Sequence, residues 1–206
     1  EDLFKEPPPG EECPICMLPL PTPTPKSTGK TYFSCCGKMI CNGCVHAAKH
    51  ADDRCLCPFC RTPAASSDGE IIEMIKKRAE AGDPNAMYQL GCSYHHGDYG
   101  FRRNMRKAME LWLRAGELGN ATAYYNVAGS FYTGTGVERD EKKAKYYSAL
   151  AAMAGDVNAR YNLGVLECEA GNTKRAMKHW MISVGAGYDK SLKAIQQGYS
   201  NGCVTK

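Results

Sequence analysis

The chain has 206 residues, with 26 basic and 22 acidic side chains and a formal net charge of +4, which is more than one small domain needs and less than two large ones. No stretch of about 18 consecutive apolar residues occurs, so a transmembrane helix is excluded and no membrane partner is expected. No run of five or more Lys/Arg occurs either, so the phosphate-binding footprint is missing and no nucleic acid partner is expected.

The opening residues, EDLFKEPPPG, are acidic and rich in proline, and predict a disordered segment over 1–10. They hold no apolar stretch of signal-peptide type. Position 1 is Glu1 and not methionine, as in a fragment or a processed product. With no secretory signal in view, an intracellular protein, cytoplasmic or nuclear, is expected.

Nine of the 12 cysteines fall between Cys13 and Cys60, leaving only Cys92, Cys168 and Cys203 for the rest. In a reducing compartment, close C-x-x-C pairs favour metal over disulfides, and the odd number in the cluster argues the same way. The ladder runs Cys13-x-x-Cys16, 18 residues, Cys35-Cys36, four residues, Cys41-x-x-Cys44, 12 residues, Cys57-x-x-Cys60. Zinc takes four ligands in a tetrahedron, and each C-x-x-C supplies two from one tight knuckle. Three knuckles and one further pair make eight ligands, enough for two Zn2+.

The runs E-C-P-I-C-M-L-P-L, S-C-C-G-K-M-I-C-N-G-C and L-C-P-F-C-R-T-P resemble a RING finger, here over 11–63. The resemblance implies a cross-braced module of short β-strands and one helix. Cys13, Cys16, Cys41 and Cys44 would hold the first zinc, and Cys57, Cys60 and two residues of the segment 35–38 the second. Where many RING fingers read C-G-H, this chain has Cys36-Gly37-Lys38, and a protonated lysine is a poor ligand. Cys35 is the choice for the remaining ligand, beside Cys36; Cys55, His46 and His50 are its rivals, with Cys55 otherwise expected as a free, buried thiol.

The RING resemblance also implies a role. Such a module holds a ubiquitin-charged conjugating enzyme so that a substrate lysine attacks the thioester, and positioning lowers the barrier. Ile15 and Pro58, inside the first and last knuckles, would form the apolar contact with that enzyme. Arg61 would bridge enzyme and ubiquitin through its planar fork. Shielding of the knuckles by Ile15 and Pro58, and a solvated Arg61, are the plain alternatives. The helix after Cys44 reads Val45-His46-Ala47-Ala48-Lys49, without the tryptophan many active RING fingers carry there.

Cysteine pairs stop at a short linker, 64–69, and helical periodicity begins, with a first helix expected over Glu70–Ala81. AGDPNAMYQLG at 81–91, LGNATAYYNVA at 118–128, AGDVNARYNLG at 154–164 and AGYDKSLKAI at 186–195 superimpose, with steps of 37, 36 and 32 residues. A period in the mid-thirties is one helical hairpin with its turns. Ala86, Ala123 and Ala159 recur, as do Leu90, Val127 and Leu163, and Gly91, Ala128 and Gly164. In the second helix Lys107-Ala108, Lys143-Ala144 and Arg175-Ala176 keep step. Together with the turn Gly134-Thr135-Gly136-Val137, these residues resemble Sel-one-like repeats, relatives of the tetratricopeptide repeat.

The fold expected is therefore mainly α: a small zinc-bound module, then an α-solenoid of helical hairpins over 70–206 with a terminal capping helix. Stacked hairpins suit the binding of a protein substrate or adaptor. Tyr88, Tyr125 and Tyr161 recur and are expected to pack between hairpins, with Trp112 and Trp180 between helices. No catalytic residue is assigned, since no nucleophile–base or P-loop arrangement stands out. The two functions in play are a RING-type ubiquitin-protein ligase and a non-catalytic zinc-containing scaffold.

Overall fold

The computed structural model describes residues 2–5, 8–21, 29–51 and 55–200, which form two compact units divided between Asn120 and Ala121. The larger share of the described residues is helical. Most of the helices are 13 residues long, about 20 Å at 1.5 Å per residue.

One unit spans 9–120 and holds the cysteine-rich segment. Two short strands, β1 (Lys30–Phe33) and β2 (Lys38–Cys41), pair antiparallel with Lys30 opposite Cys41 and Phe33 opposite Lys38. Gly37 closes the turn between them at φ 72°, a left-handed conformation that glycine adopts without steric cost. Ile40 on β2 is fully buried and centres this small core, and α1 (Asn42–Ala51) follows at once.

The helix α2 begins at Asp68, two residues earlier than the expected Glu70, and ends at Glu80. The reason is local: Ser67 caps the helix by accepting from the Glu70 amide, while the Glu70 carboxylate reaches back to the Ser66 amide and hydroxyl. Then come α3 (Pro84–His96) and α4 (Met105–Glu117), packed as a hairpin. Asp83 caps α3 through the amides of Asn85 and Ala86, with Pro84 in the first turn where no donor is missed.

The other unit holds α5 (Ala121–Thr133), α6 (Glu141–Met153), α7 (Val157–Glu169), α8 (Thr173–Gly185) and α9 (Asp189–Ser200). α5 pairs with α6 and α7 with α8, and α9 lies on α8. The recurrent small residues are the floor of these hairpins: Ala86, Ala108, Ala123, Ala159 and Ala176 are all fully buried. Trp112 and Trp180 lie in the hairpin cores, 2% and 5% exposed. Each indole lies over a glycine of the paired helix. A Cβ on Gly91 would come within 2.6 Å of Trp112, and one on Gly164 would likewise run into Trp180.

The middle hairpin departs from this rule. Ser148 occupies the tryptophan's register and Ala128 the glycine's, and a cavity of about 200 Å³ opens there, lined among others by Tyr125, Ala128, Ser148 and Val165. Two of the recurrent tyrosines pack as expected: Tyr125 lies against the Ala151–Leu163 cluster, and Tyr161 meets Tyr188 edge-on at 5.6 Å.

The disorder expected over 1–10 is corrected at its start. Asp2–Phe4 form one turn of 3-10 helix that belongs to the second unit and contacts α6 and α8. Its acidic, proline-rich sequence hid the two apolar side chains, Leu3 and Phe4, that anchor it.

Candidate metal centre

Two sets of four thiols converge. Cys13, Cys16, Cys41 and Cys44 form one, and Cys35, Cys36, Cys57 and Cys60 the other, with the sulfurs of each set within 4.8 Å of one another. The sets alternate along the chain, so each joins two segments that the other set separates. The structure brings Cys35 beside Cys36, Cys57 and Cys60, and leaves its rivals Cys55, His46 and His50 outside both sets. Cys55 lies outside both sets and is exposed, not buried as expected, held at φ 51°. His46 and His50 face each other on α1 with their Nε2 atoms 3.1 Å apart, and neither joins a set.

The spacing suits zinc. Four sulfurs at 2.3 Å from one ion stand about 3.8 Å apart along each tetrahedral edge. The Cys16–Cys41 and Cys36–Cys57 sulfurs are each 3.8 Å apart, and Cys35–Cys60 3.5 Å. A disulfide needs about 2.05 Å, so these are separate thiols drawn to common centres.

Two knuckles present the ligands in the same way. Cys13 accepts at its carbonyl from the Met17 amide at 2.9 Å, and Cys57 from the Arg61 amide at 3.0 Å. Met17 and Arg61 take matching left-handed conformations, φ 59° and 62°. Each knuckle is closed by a single β-bridge, Glu12 to Pro19 and Leu56 to Pro63. The first and last C-x-x-C motifs are thus one structure used twice.

Thiol acidity is divided within each set. Burial opposes the Cys13 thiolate, but the amides of Cys16, Cys41 and Ile15 outweigh it and bring the group down to about 6. Burial likewise opposes Cys60, and the Thr62 hydroxyl and amide bring it down to about 6. Cys44 is pushed up to about 12, first by its contact with Cys41. Burial and then neighbouring thiols raise Cys35 and Cys36. Each set therefore holds at least one thiol that the fold makes more acidic and at least one that it makes less acidic, whose proton a metal ion would displace.

The second set is fastened to the first helices after the linker. Arg78 of α2 donates through Nε to the Ser34 carbonyl at 2.6 Å and through Nη2 to the Cys35 carbonyl at 2.8 Å. The Tyr32 hydroxyl donates to Asp83 at 2.8 Å, and burial together with this bond raises the phenol's pKa. Gly37 must be small because a Cβ there would come within 2.6 Å of the Arg78 guanidinium and 2.7 Å of the Asp83 carboxylate.

Of the residues expected to meet a partner, Ile15 is 42% exposed at the tip of the first knuckle, Pro58 is half-buried and Arg61 is exposed. Three further apolar side chains around the knuckles stand out to solvent and were not singled out from sequence: Met17, Leu18 and Phe59. Phe59 carries the Lys38 ammonium 5.8 Å above its ring, so the residue that breaks the C-G-H pattern lies beside the last knuckle. The signal for Phe59 was available, since it holds in the last C-x-x-C the place Ile15 holds in the first.

Residues 84–120 and 121–156 each match the family model of the Sel1 repeat. These two segments are Sel1 repeats. A Sel1 repeat protein from Oxalobacter formigenes aligns with a TM-score of 0.63 and 25% identity, over 68% of this chain and 59% of that one. The protective antigen c5321 of uropathogenic Escherichia coli aligns with a TM-score of 0.60 and 29% identity, over 65% of this chain and 30% of the antigen. The ERAD-associated E3 ubiquitin-protein ligase component HRD3B of Arabidopsis thaliana is 32% identical over 114 residues, 54% of this chain. Chitin synthase regulatory factor 3 of Schizosaccharomyces pombe is 32% identical over 100 residues, 46% of this chain. The matched regions span only 18% and 11% of those two relatives. Sel1 repeats mediate protein–protein interactions, and the α-hairpin solenoid expected from the period is the fold these comparisons support.

Proposed function

We propose that the cysteine module is a zinc-bound RING finger and the chain a ubiquitin-protein ligase whose Sel1 repeats recruit a substrate or adaptor. The observation that carries this reading is the alternation of two four-thiol sets along the chain, the arrangement a cross-braced RING requires. Zinc would serve as a structural ion, fixing the two knuckles at either end of the module. Ile15 and Pro58 would then give the apolar contact to a conjugating enzyme, and Arg61 a forked donor beside it. The module itself breaks no bond; it orders two partners, and effective molarity supplies the rate. An intracellular setting, cytoplasmic or nuclear, goes with a thiol-rich centre of this kind.

A non-catalytic scaffold is the second reading, favoured by the fission-yeast relative being named a regulatory factor. An autoubiquitination assay with a panel of conjugating enzymes separates the two. The ligase reading expects ubiquitin chains that vanish with Cys57→Ser and fall sharply with Arg61→Ala. Wild-type protein that stays silent across the whole panel while holding its zinc favours the scaffold.

A further inference from the structure

The seat of the N-terminal turn has the chemistry of a peptide site. Leu3 packs on the buried cluster of Ala151, Ala152, Ala159 and Leu163. Its carbonyl accepts from Arg160 of α7, a guanidinium only 2% exposed that also donates to the Ala152 carbonyl at 2.7 Å. The Phe4 ring lies 4.7 Å from the fully buried His179 ring, and the Arg175 and Lys178 cations each stand 5.2 Å from the Phe4 centroid. The seat thus reads a backbone carbonyl, an aliphatic side chain and an aromatic ring in succession.

Two features mark this seat as more than a resting place for Leu3 and Phe4. Both ring nitrogens of His179 are buried with no hydrogen-bond partner among the described residues, so Leu3 and Phe4 leave this polar group unsatisfied. The surrounding charge is mainly positive as well: Arg160, Arg175, Lys178 and Lys145, with Glu167 the acid among them, bound by Lys145 at 3.1 Å and Arg175 at 3.2 Å. An occupant that carries acidic residues beside its apolar pair fits that balance.

We propose that α6, α7 and α8 form a recognition site for a partner segment of acidic–aliphatic–aromatic sequence, which the chain's own Leu3-Phe4 fills in competition with that partner. The proposal gives the recruiting role of the repeats a definite ligand chemistry, and rests on that role and not on ligase activity. The own segment is tethered, so it binds at high effective concentration, yet its Leu3 and Phe4 offer His179 no hydrogen bond. A partner that supplies an acceptor for His179 gains what the own segment lacks.

The test uses the full chain and a fluorescent peptide of its first eight residues, EDLFKEPP, followed by anisotropy. The Phe4→Ala chain, its own segment weakened, is expected to bind this probe at least tenfold more tightly than the wild type. The same probe with its phenylalanine changed to alanine is expected to lose that binding. Reversal of the two solvent-side cations, Arg175→Glu with Lys178→Glu in the Phe4→Ala chain, is expected to weaken it further and to remove its salt dependence. A second readout, the His179 ring proton resonances, is expected to move on adding probe to the Phe4→Ala chain. Equal binding by wild type and Phe4→Ala, binding by neither at millimolar probe, or indifference to the probe's phenylalanine overturns the proposal. Ubiquitin transfer does not enter any of these outcomes, so the ligase reading can fail without touching them.

Discussion

The Arg78 guanidinium lies against the Cys35 carbonyl, donating to it at 2.8 Å, so a helix of the repeat segment holds the backbone of a thiol that belongs to the second metal set. The same side chain takes the Ser34 carbonyl at 2.6 Å and comes within 3.8 Å of Asp83, the cap of α3. Two charge-assisted bonds from one partly buried group set the scale. Arg78→Ala is expected to cost about 2 kcal/mol in urea unfolding. It is also expected to speed the release of zinc from one of the two sites, read with a colorimetric chelator. Unchanged stability together with unchanged release would show that this clamp is idle.

Metal content follows from the thiol sets. Purified protein is expected to hold two zinc ions per chain, and Cys57→Ser one. Chelation is expected to unfold the module over 11–63 while the helical circular dichroism of the repeats persists, since the repeats bury their own alanine and tryptophan floor. Because burial and neighbouring thiols raise Cys35 and Cys36, and contact with Cys41 raises Cys44, zinc must displace protons. Affinity is therefore expected to fall as pH drops from about 8 to about 6, with proton release visible by calorimetry in buffers of different ionisation enthalpy.

The middle hairpin offers a packing test. Ser148→Trp alone would drive an indole into the Ala128 methyl, and is expected to destabilise by about 1–3 kcal/mol through overpacking. Ser148→Trp with Ala128→Gly restores the pairing seen at Gly91–Trp112 and Gly164–Trp180. The double variant is expected to be more stable than the single one and to fill the cavity beside Tyr125. Thermal unfolding of the two variants decides it; a double variant no better than the single one would mean that the register match is incidental.

In the second unit, acid should act on His179. Burial, and then the positive charge of Arg160, lowers its pKa from 6.5 to about 4, with Arg175 and Lys145 pulling the same way, Glu167 opposing them and the Phe4 ring covering it. The unfolded chain binds this proton more readily than the folded one. The fold is thus unpenalised above pH 6.5, and loses stability as pH falls from there towards 4. The full loss is about 3 kcal/mol for a shift of this size. His179→Phe is expected to flatten the stability profile in that window. Glu167 works at lower pH: burial raises its pKa, but Lys145, Asn172 and Arg175 outweigh it, so its contribution fades only as pH drops below the usual carboxylate range.

Much of this architecture was legible in the residues because it is periodic or crowded. Ala86, Ala123 and Ala159 recur at one step, and their burial is the direct result of helices approaching closely. The cysteine ladder shows itself because thiols are rare and metal knuckles have a fixed spacing. What escaped reading is what depends on a meeting of distant residues. Arg78 looks like an ordinary helix-surface cation until it meets carbonyls 43 and 44 residues earlier. Phe4 lies among acids and prolines, and only its seat on α8 gives it order. Ser148 is unremarkable in its own helix and significant only beside the tryptophans that hold its place elsewhere. The early start of α2 turned on one serine side chain, below the resolution of hydrophobic periodicity.

The bond from Arg160 to the Leu3 carbonyl joins residues 157 positions apart. Leu3 and Phe4 leave the ribosome well before α7 and α8, the helices that seat them. At about 5–20 residues per second, synthesis leaves these two apolar side chains without their seat for roughly 8–30 seconds, time in which a chaperone or a waiting partner has first claim on them.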